Sequence, residues 1–257
     1  MATGSVVRYE VRGPGAWVIW NRPDKRNAFN LELVQEGAAA LRRAEEEPGI
    51  SAIVLAGEGP VFSAGLDFRM ALEIDATGYR RYRDALATFQ EAIRWNSKPV
   101  IARVHGDAYG AGVMTLAVCD VVIAVRTARF GIREVRAGLQ AGGAFFFDIG
   151  RLRSLDLALT GRVFTAEEGE RWGMVTRAVD PEELDIVVQE YVDTFAALPP
   201  LSLAYTKRSL NTLLDMAGYG AHRRLTGEFS AILHSTEDRR EAQRAFLEKR
   251  KPLFKGR

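Results

Sequence analysis

The sequence is short of cysteine and of long apolar runs, and each shortage excludes a class of protein. Cys119 is the single cysteine among 257 residues, so no internal disulfide can form, and a reducing compartment, the cytoplasm, is expected. Asp120 interrupts the longest apolar stretch, which leaves no run near the roughly 18 residues that a membrane span needs. The first residues, MATGSVVRYEVRG, have no basic start followed by an apolar segment, so no secretory signal is expected.

Motifs for metals and for nucleotide phosphates are also missing. The three histidines, His105, His222 and His234, show no metal-ligand spacing, so no metal site is expected. No glycine-rich dinucleotide motif and no Walker-type phosphate motif is present. The segment VFSAG lacks the first glycine of a nucleophile elbow, so Ser63 is interpreted as a loop residue. Candidate acids and bases are therefore carboxylates.

Acidic residues are scarce in the last part of the chain. Residues 239–257 carry eight Lys or Arg and two Glu, which gives +6, whereas the whole chain carries +2 and the remainder therefore −4. This basic segment is interpreted either as a solvated helical tail or as a binding site for a phosphorylated ligand. Binding to nucleic acid is disfavoured, because the basic residues form one short segment without a recognition motif.

Strand and helix patterns alternate along most of the chain. Alternating apolar residues on both sides of residues 13–15 predict a hairpin, and Asn30 is a candidate cap for a helix over 31–47. Short buried strands are predicted at 52–56, 100–104, 121–125 and 174–179, and the pattern is helical from Pro181 onward. The alternation predicts an α/β fold with a mostly parallel sheet and a helical C-terminal part.

Two glycine-rich loops follow two of the predicted strands and lead into helices. The first is GEGPVFSAGLDF, residues 57–68, and the second is HGDAYGAGVMTL, residues 105–116. A helix N-terminus has N–H groups without partners, and glycine lets a ligand approach the backbone closely. Each loop alone is typical of a tight strand–helix turn, but two such ends aimed at one oxygen would form an oxyanion hole.

Taken in order, six segments resemble the crotonase superfamily, the enoyl-CoA hydratase/isomerase family, over essentially the whole chain. The resemblance implies a crotonase-like spiral of ββα units, with an α/β core over residues 1–199. It also implies a helical region over 200–257 that forms trimers or hexamers and covers CoA. An acyl-CoA thioester is the implied substrate, with no separate cofactor. The six segments are 21–30, 57–68, 98–120, 128–139, 159–179 and 246–257.

The resemblance assigns the reaction centre residue by residue. The oxyanion hole would use the backbone N–H groups of Leu66 and Ala111. Of the family's two acid/base positions, the first holds Met114 and the second holds Glu134. A third position, where some members carry aspartate, holds Gly142. Arg133 precedes Glu134, and it would either favour the ionised carboxylate or point to the surface.

Contacts to CoA and to the acyl group are likewise implied by the resemblance. Asp67 is also interpreted as a helix cap, and the tail residues would reach the CoA of a neighbouring subunit. The tyrosines are candidates for the acyl pocket. The implied CoA contacts are Lys25, Arg26, Ala28, Ala64, Asp67, Phe246 and Lys249, and the tyrosines are Tyr79, Tyr82 and Tyr109.

A single glutamate limits the chemistry. Hydration normally uses two groups, whereas double-bond migration needs one base that moves a proton from C2 to C4. Isomerisation of an enoyl-CoA by Glu134 is therefore favoured, with Met114 as an apolar wall of the acyl pocket or simply as core filler. Hydration of a 2-enoyl-CoA is the alternative, and a catalytically weak acyl-CoA-binding protein is a second alternative.

Overall fold

The computed structural model describes residues 4–143 and 145–257, and its strands form two sheets. Six strands pair in the order β1-β2-β3-β4-β6-β9, and three short ones pair in the order β5-β7-β8. The strands are β1 (Val7–Arg12), β2 (Gly15–Trp20), β3 (Ala52–Gly57), β4 (Val100–Val104), β5 (Ala108–Tyr109), β6 (Val121–Val125), β7 (Arg129–Gly131), β8 (Val163–Thr165) and β9 (Arg177–Val179).

Helices connect the strands and make up the C-terminal part. There are also two 3-10 turns among the described residues. Pro23–Lys25 lies next to the first glycine-rich loop, and Glu134–Ala137 lies next to the second. The α-helices are α1 (Leu31–Glu46), α2 (Phe68–Glu73), α3 (Ala76–Arg94), α4 (Ala111–Leu116), α5 (Phe146–Thr160), α6 (Ala166–Trp172), α7 (Leu184–Ala196), α8 (Pro200–Met216), α9 (Tyr219–His234) and α10 (Glu237–Leu247).

The larger sheet follows the sequence pattern closely. β1 and β2 form the predicted antiparallel hairpin, and all other pairs in this sheet are parallel. Every residue of β2 is buried, as expected for a strand covered on both faces. Asn30 caps α1 as predicted, because its Oδ1 accepts a hydrogen bond from Leu33 N at 2.9 Å.

The sequence analysis was less accurate for the short elements and for the chain end. The predicted strand over 174–179 is reduced to β9, and the sheet of β5, β7 and β8 was not predicted, because strands of two or three residues give no alternation to detect. The tail is not helical to its end, since residues 251–257 have no regular structure. The Asp238 carboxylate holds them by accepting hydrogen bonds from Lys255 N at 2.6 Å and Gly256 N at 2.8 Å.

An aromatic cluster joins the larger sheet to the first glycine-rich loop and to α3. Trp20 contacts Phe29, Phe62 and Phe89 edge-to-face, with ring centroids 5.6–6.5 Å apart. Phe62 is part of the loop itself, so the same core that stabilises the sheet also fixes the loop. In the part of the chain that the structure covers, no helix is long and apolar enough to cross a membrane.

Candidate active site

The two glycine-rich loops lie side by side. β3 and β4 are parallel neighbours, so the loops that follow them leave from the same edge of the sheet. The amides of Phe62 and Ser63 donate to the carbonyl of Asp107 at 3.0 and 3.2 Å, and Tyr109 N donates to Ser63 O at 2.9 Å. These hydrogen bonds hold the two loops against each other as a short parallel ladder.

Gly65 and Gly110 allow a close approach that other residues would prevent. Gly65 has φ +87°, and a Cβ there would lie 2.6 Å from the carbonyl oxygen of Tyr109. Gly110 has φ +50°, and a Cβ there would lie 3.5 Å from the Glu134 Oε1. Both positions have backbone conformations that favour glycine, and Gly65 in addition has no room for a side chain.

The amides of Leu66 and Ala111 are brought together at this contact. Ala111 N lies 3.3 Å from the position that a Cβ of Gly65 would occupy. In the described ranges neither amide donates a hydrogen bond to a protein group, while the carbonyl of Gly65 and the amide of Asp67 are bonded to Phe29 at 2.7 and 3.1 Å. Two free donors at one place are the arrangement that an oxyanion hole requires.

Glu134 lies next to the second loop and has an unusual environment. It is the first residue of its 3-10 turn, its Oε1 faces Gly110, and its Oε2 is enclosed without a hydrogen-bond partner among the described residues. Burial raises the pKa of Glu134 from 4.5 to about 7, and a hydrogen bond from its own backbone amide opposes the shift only in part. A carboxylate of this kind can take up and release a proton near neutral pH.

Arg133 points to the surface and does not stabilise the Glu134 carboxylate. Its guanidinium lies over the Tyr109 ring, 5.9 Å from the centroid, and the side chain is exposed. The pKa of Glu134 is raised by burial and not lowered by a cation. Of the two roles considered for Arg133, the structure therefore favours the surface position.

Met114 lies in the wall of the same cavity as Glu134. Its amide donates to Gly110 O at 3.0 Å, which places it one turn into α4. Its Sδ lies 3.2 Å from the position that a Cβ of Gly142 would occupy. Met114 is half-buried, packs against the core and also lines the cavity.

A large cavity contains all of these groups. Its volume is about 1960 Å³, well above the range usual for small-molecule sites. The predicted reaction-centre residues Leu66, Ala111, Met114 and Glu134 line it, and so do the three tyrosines Tyr79, Tyr82 and Tyr109. The predicted CoA contacts that line it are Lys25, Arg26, Ala28, Ala64, Asp67, Phe246 and Lys249.

Asp67 is occupied by structural contacts. Its Oδ1 accepts hydrogen bonds from Arg69 N at 3.2 Å and Met70 N at 3.3 Å, as the predicted cap of α2. Its Oδ2 forms an ion pair with Arg22 at 3.1 Å. Asp67 therefore shapes the start of α2 beside the cavity, and its charge is already compensated.

The basic tail folds over the cavity of its own chain. Phe246 contacts Phe68 edge-to-face with ring centroids 5.2 Å apart, so α10 packs on α2. Arg239, also on α10, donates to the carbonyl of Ala71. Phe246 and Lys249 line the cavity of the chain that carries them. Their contact with the CoA of a neighbouring subunit stays a prediction.

The sequence analysis missed a polar group at the other side of the cavity. Arg83, Gln140 and Ser230 line it, and both Arg83 and Gln140 donate a hydrogen bond to the Ser230 hydroxyl. They come from α3, from the segment after the 3-10 turn and from α9, and no spacing in the sequence links them. Among the described residues, no group of three or more His, Cys, Asp or Glu could hold a metal ion.

Comparison with known proteins gives the family. A sequence profile described as enoyl-CoA hydratase/isomerase matches residues 16–257. A probable enoyl-CoA hydratase of Rhizobium meliloti is 36% identical, over 96% of this chain and 97% of that protein. A 1,2-epoxyphenylacetyl-CoA isomerase of Escherichia coli K12 is 32% identical, over 92% and 93% of the two chains.

The fold comparison agrees with the profile. The crystal structure of an enoyl-CoA hydratase/isomerase from Xanthobacter autotrophicus Py2 superposes with a TM-score of 0.90 at 26% identity, covering 97% of this chain and 98% of that one. The chain belongs to the enoyl-CoA hydratase/isomerase family, and the predicted crotonase-like fold with a helical C-terminal region is confirmed. It is an enzyme of the hydratase/isomerase type.

Proposed function

We propose that this enzyme shifts the double bond of an enoyl-CoA thioester, with Glu134 as the single acid/base residue. The observation that supports it is the placement of one enclosed, unpaired carboxylate beside two free amides, those of Leu66 and Ala111. Met114 occupies the wall where a hydratase would carry its second carboxylate. A thioether is a poor acceptor for a reacting water, so one-base chemistry suits the site better.

The proposed reaction passes through an enolate. The thioester oxygen accepts hydrogen bonds from Leu66 N and Ala111 N, and Glu134 removes a proton from C2 of a 3-enoyl group. Charge moves through the dienolate to the thioester oxygen, and the protonated Glu134 then returns the proton to C4 as the C2–C3 double bond forms. One donor of such a hole contributes about 2.7–4 kcal/mol to the barrier reduction, and a carboxyl with a pKa of about 7 suits both transfers.

Other carboxylates of the cavity are less suited to this role. Asp67 and Asp107 are bonded to backbone or side-chain donors. Glu91 and Asp215 are paired with arginines. The remaining acidic side chains that line the cavity are exposed or lie beside a lysine, and they are Asp24, Asp84 and Glu228.

CoA would bind along the predicted contacts, with its phosphates near Lys25, Arg26 and Lys249. The adenine end would lie near the backbone of Ala28 and Ala64, and the tail from Phe246 would cover the thioester arm. We also propose a homo-oligomer, a trimer or a hexamer. Its support is a row of exposed apolar side chains on α8 and α9, which would otherwise face water, namely Leu201, Tyr205, Leu210, Leu213, Met216, Leu225 and Ile232.

Hydration of a 2-enoyl-CoA is the second candidate. Its support is the relative named a probable enoyl-CoA hydratase, at 36% identity over nearly the whole chain. For this reaction a group other than Met114 would have to hold the water. A catalytically weak acyl-CoA-binding protein is a third candidate. The raised pKa of the Glu134 carboxyl disfavours it, because such a carboxyl suits proton transfer near neutral pH.

A thioester panel separates the three candidates. The purified enzyme is given 3-enoyl-, 2-enoyl- and saturated acyl-CoA esters of matched length, and double-bond shift, water addition and deuterium exchange at C2 are followed. Isomerisation of the 3-enoyl ester should be faster than hydration of the 2-enoyl ester, and Glu134→Gln should abolish both exchange and isomerisation. Faster hydration would reject the isomerase proposal, and binding of all esters without exchange would leave the third candidate.

A further inference from the structure

Arg83 lies in the cavity without an acidic partner. It is half-buried on α3, and its Nη1 donates to the Oγ of Ser230 on α9. Two other arginines of this region are neutralised, since Arg94 pairs with Asp215 at 2.9 Å and Arg223 pairs with Glu91. Arg83 forms no ion pair with any described residue, and the nearby acidic side chains of the cavity, Asp84 and Glu228, are exposed.

The group that holds Arg83 is neutral. Ser230 is 3% exposed, and its hydroxyl donates to the carbonyl of Thr226 at 3.0 Å. Its oxygen can therefore only accept from the other two neighbours, Arg83 and the Nε2 of Gln140 at 3.3 Å. Gln140 Nε2 also donates to Thr226 O at 3.1 Å. The network fixes the position of the guanidinium but leaves its charge uncompensated.

A second donor among the residues that line this cavity also lacks a partner. Tyr82 lines the cavity and is 2% exposed, and its hydroxyl has no hydrogen-bond partner among the described residues. Burial raises the pKa of Tyr82, so the hydroxyl keeps its proton. An enclosed hydroxyl without a partner is unfavourable by itself, so the Tyr82 hydroxyl is available to an acceptor on a ligand.

Tyr79 connects this polar group to the reaction centre. Its ring lies 6.2 Å from that of Tyr82. Burial raises the pKa of Tyr79, the charge of Arg83 lowers it and the charge of Glu134 raises it. Tyr79, Arg83 and Glu134 all line the same cavity. Arg83 is held by Ser230 on α9, and Glu134 lies beside Gly110 at the second glycine-rich loop. An acyl group with its thioester at the loops can therefore extend through the cavity toward Arg83.

We infer that the acyl group of the substrate ends in a carboxylate, which Arg83 binds with the Tyr82 hydroxyl as a second donor. This inference rests on the proposed acyl-CoA function and narrows it to a class of substrate. A plain alkyl end would leave the guanidinium and the hydroxyl desolvated without partners, whereas a carboxylate satisfies both. The cations proposed for the CoA phosphates are separate residues, Lys25, Arg26 and Lys249.

The inference is tested by binding, so that it does not depend on which reaction the enzyme catalyses. Saturated acyl-CoA esters of four to eight carbons are compared by calorimetry, each with a terminal carboxylate or a terminal methyl group. The wild type should bind the carboxylate ester at least about tenfold more tightly at one or more lengths, the value of a charge-assisted hydrogen bond. Arg83→Met should remove this preference, while Arg83→Lys, which keeps the charge, should retain part of it.

Two controls locate the effect. Arg81→Met replaces an exposed arginine on the same helix that does not line the cavity, and it should keep the preference. Free CoA should bind equally to wild type and Arg83→Met, because the phosphates lie elsewhere.

Three outcomes overturn the inference: equal binding of both ester types at every length by the wild type, an unchanged preference in Arg83→Met, or a matching loss of affinity for free CoA. Failure of every ester to bind would instead reject the proposed acyl-CoA function.

Discussion

Replacing Glu134 with glutamine should change the pH dependence of both stability and activity. Burial raises the pKa of this carboxyl from 4.5 to about 7 in the folded protein. Between these values the folded state binds the proton more tightly than the unfolded state, so the free energy of unfolding should fall as pH rises through this window. At about 1.4 kcal/mol for each pKa unit, the full effect is about 3 kcal/mol.

The assay follows how the stability difference between wild type and Glu134→Gln changes with pH. The desolvation penalty of the glutamine does not depend on pH, so it shifts this difference by a constant. Urea unfolding followed by tryptophan fluorescence gives the free energy of unfolding of the wild type and of Glu134→Gln from pH 4 to pH 9. The wild type should lose about 3 kcal/mol relative to the variant across the window. Glu182→Gln, at an exposed carboxylate, serves as the matched control and should follow the wild type.

Activity should change in the opposite direction with pH. The base must be ionised to accept the C2 proton, so kcat/KM of the wild type should rise through about pH 7. Glu134→Gln should fold, bind acyl-CoA and lose at least about a hundredfold in rate. A stability difference that stays constant within about 0.5 kcal/mol over the whole range, or near-normal turnover of Glu134→Gln, would refute the reasoning.

Three further predictions concern the rest of the site. Met114→Glu should raise the rate of hydration relative to isomerisation in the thioester panel. The increase should be modest, because a buried carboxylate is unfavourable and tends to protonate. An unchanged ratio would count against residue 114 as the position of the second acid/base group. Truncation before Phe246 should raise KM for CoA esters and its sensitivity to salt, and an equal rise for a pantetheine thioester would instead make the tail purely structural. Gly65→Ala should lower kcat more than about tenfold, since its Cβ would lie 2.6 Å from Tyr109 O and push the two loops apart; kinetics like those of the wild type would show that the loops can separate without loss.

Local sequence patterns determined much of this protein before any contact was known. The hairpin of β1 and β2, the cap at Asn30 and the buried strands β3, β4 and β6 follow from alternation, capping and apolar runs. These signals act between residues close in the chain, so the sequence shows them directly. The loops around Gly65 and Gly110 were also found in this way, because glycines between a strand and a helix pattern are visible in the sequence. That both loops serve one site was suggested only by their occurrence together.

The family resemblance, and not the local pattern, identified Glu134 among 33 acidic residues. Its spacing from Ala111 matches the family, but nothing in the residues around it predicts a carboxyl with a raised pKa. That property depends on enclosure by segments that are distant in sequence. The sequence also left two roles open for Arg133, and the position of its side chain over Tyr109 favours one.

What the sequence by itself determined is thus the order of the longer elements, the caps at Asn30 and Asp67 and the two loops, since each of these depends on neighbouring residues. The tertiary structure decided which donors meet and which charges remain without partners. Leu66 and Ala111 are 45 residues apart in the chain, and they meet because β3 and β4 are adjacent parallel strands. Arg83 and Ser230 meet through the packing of α3 on α9. Only this packing shows that Arg83 is held by a neutral group and forms no ion pair with a described residue.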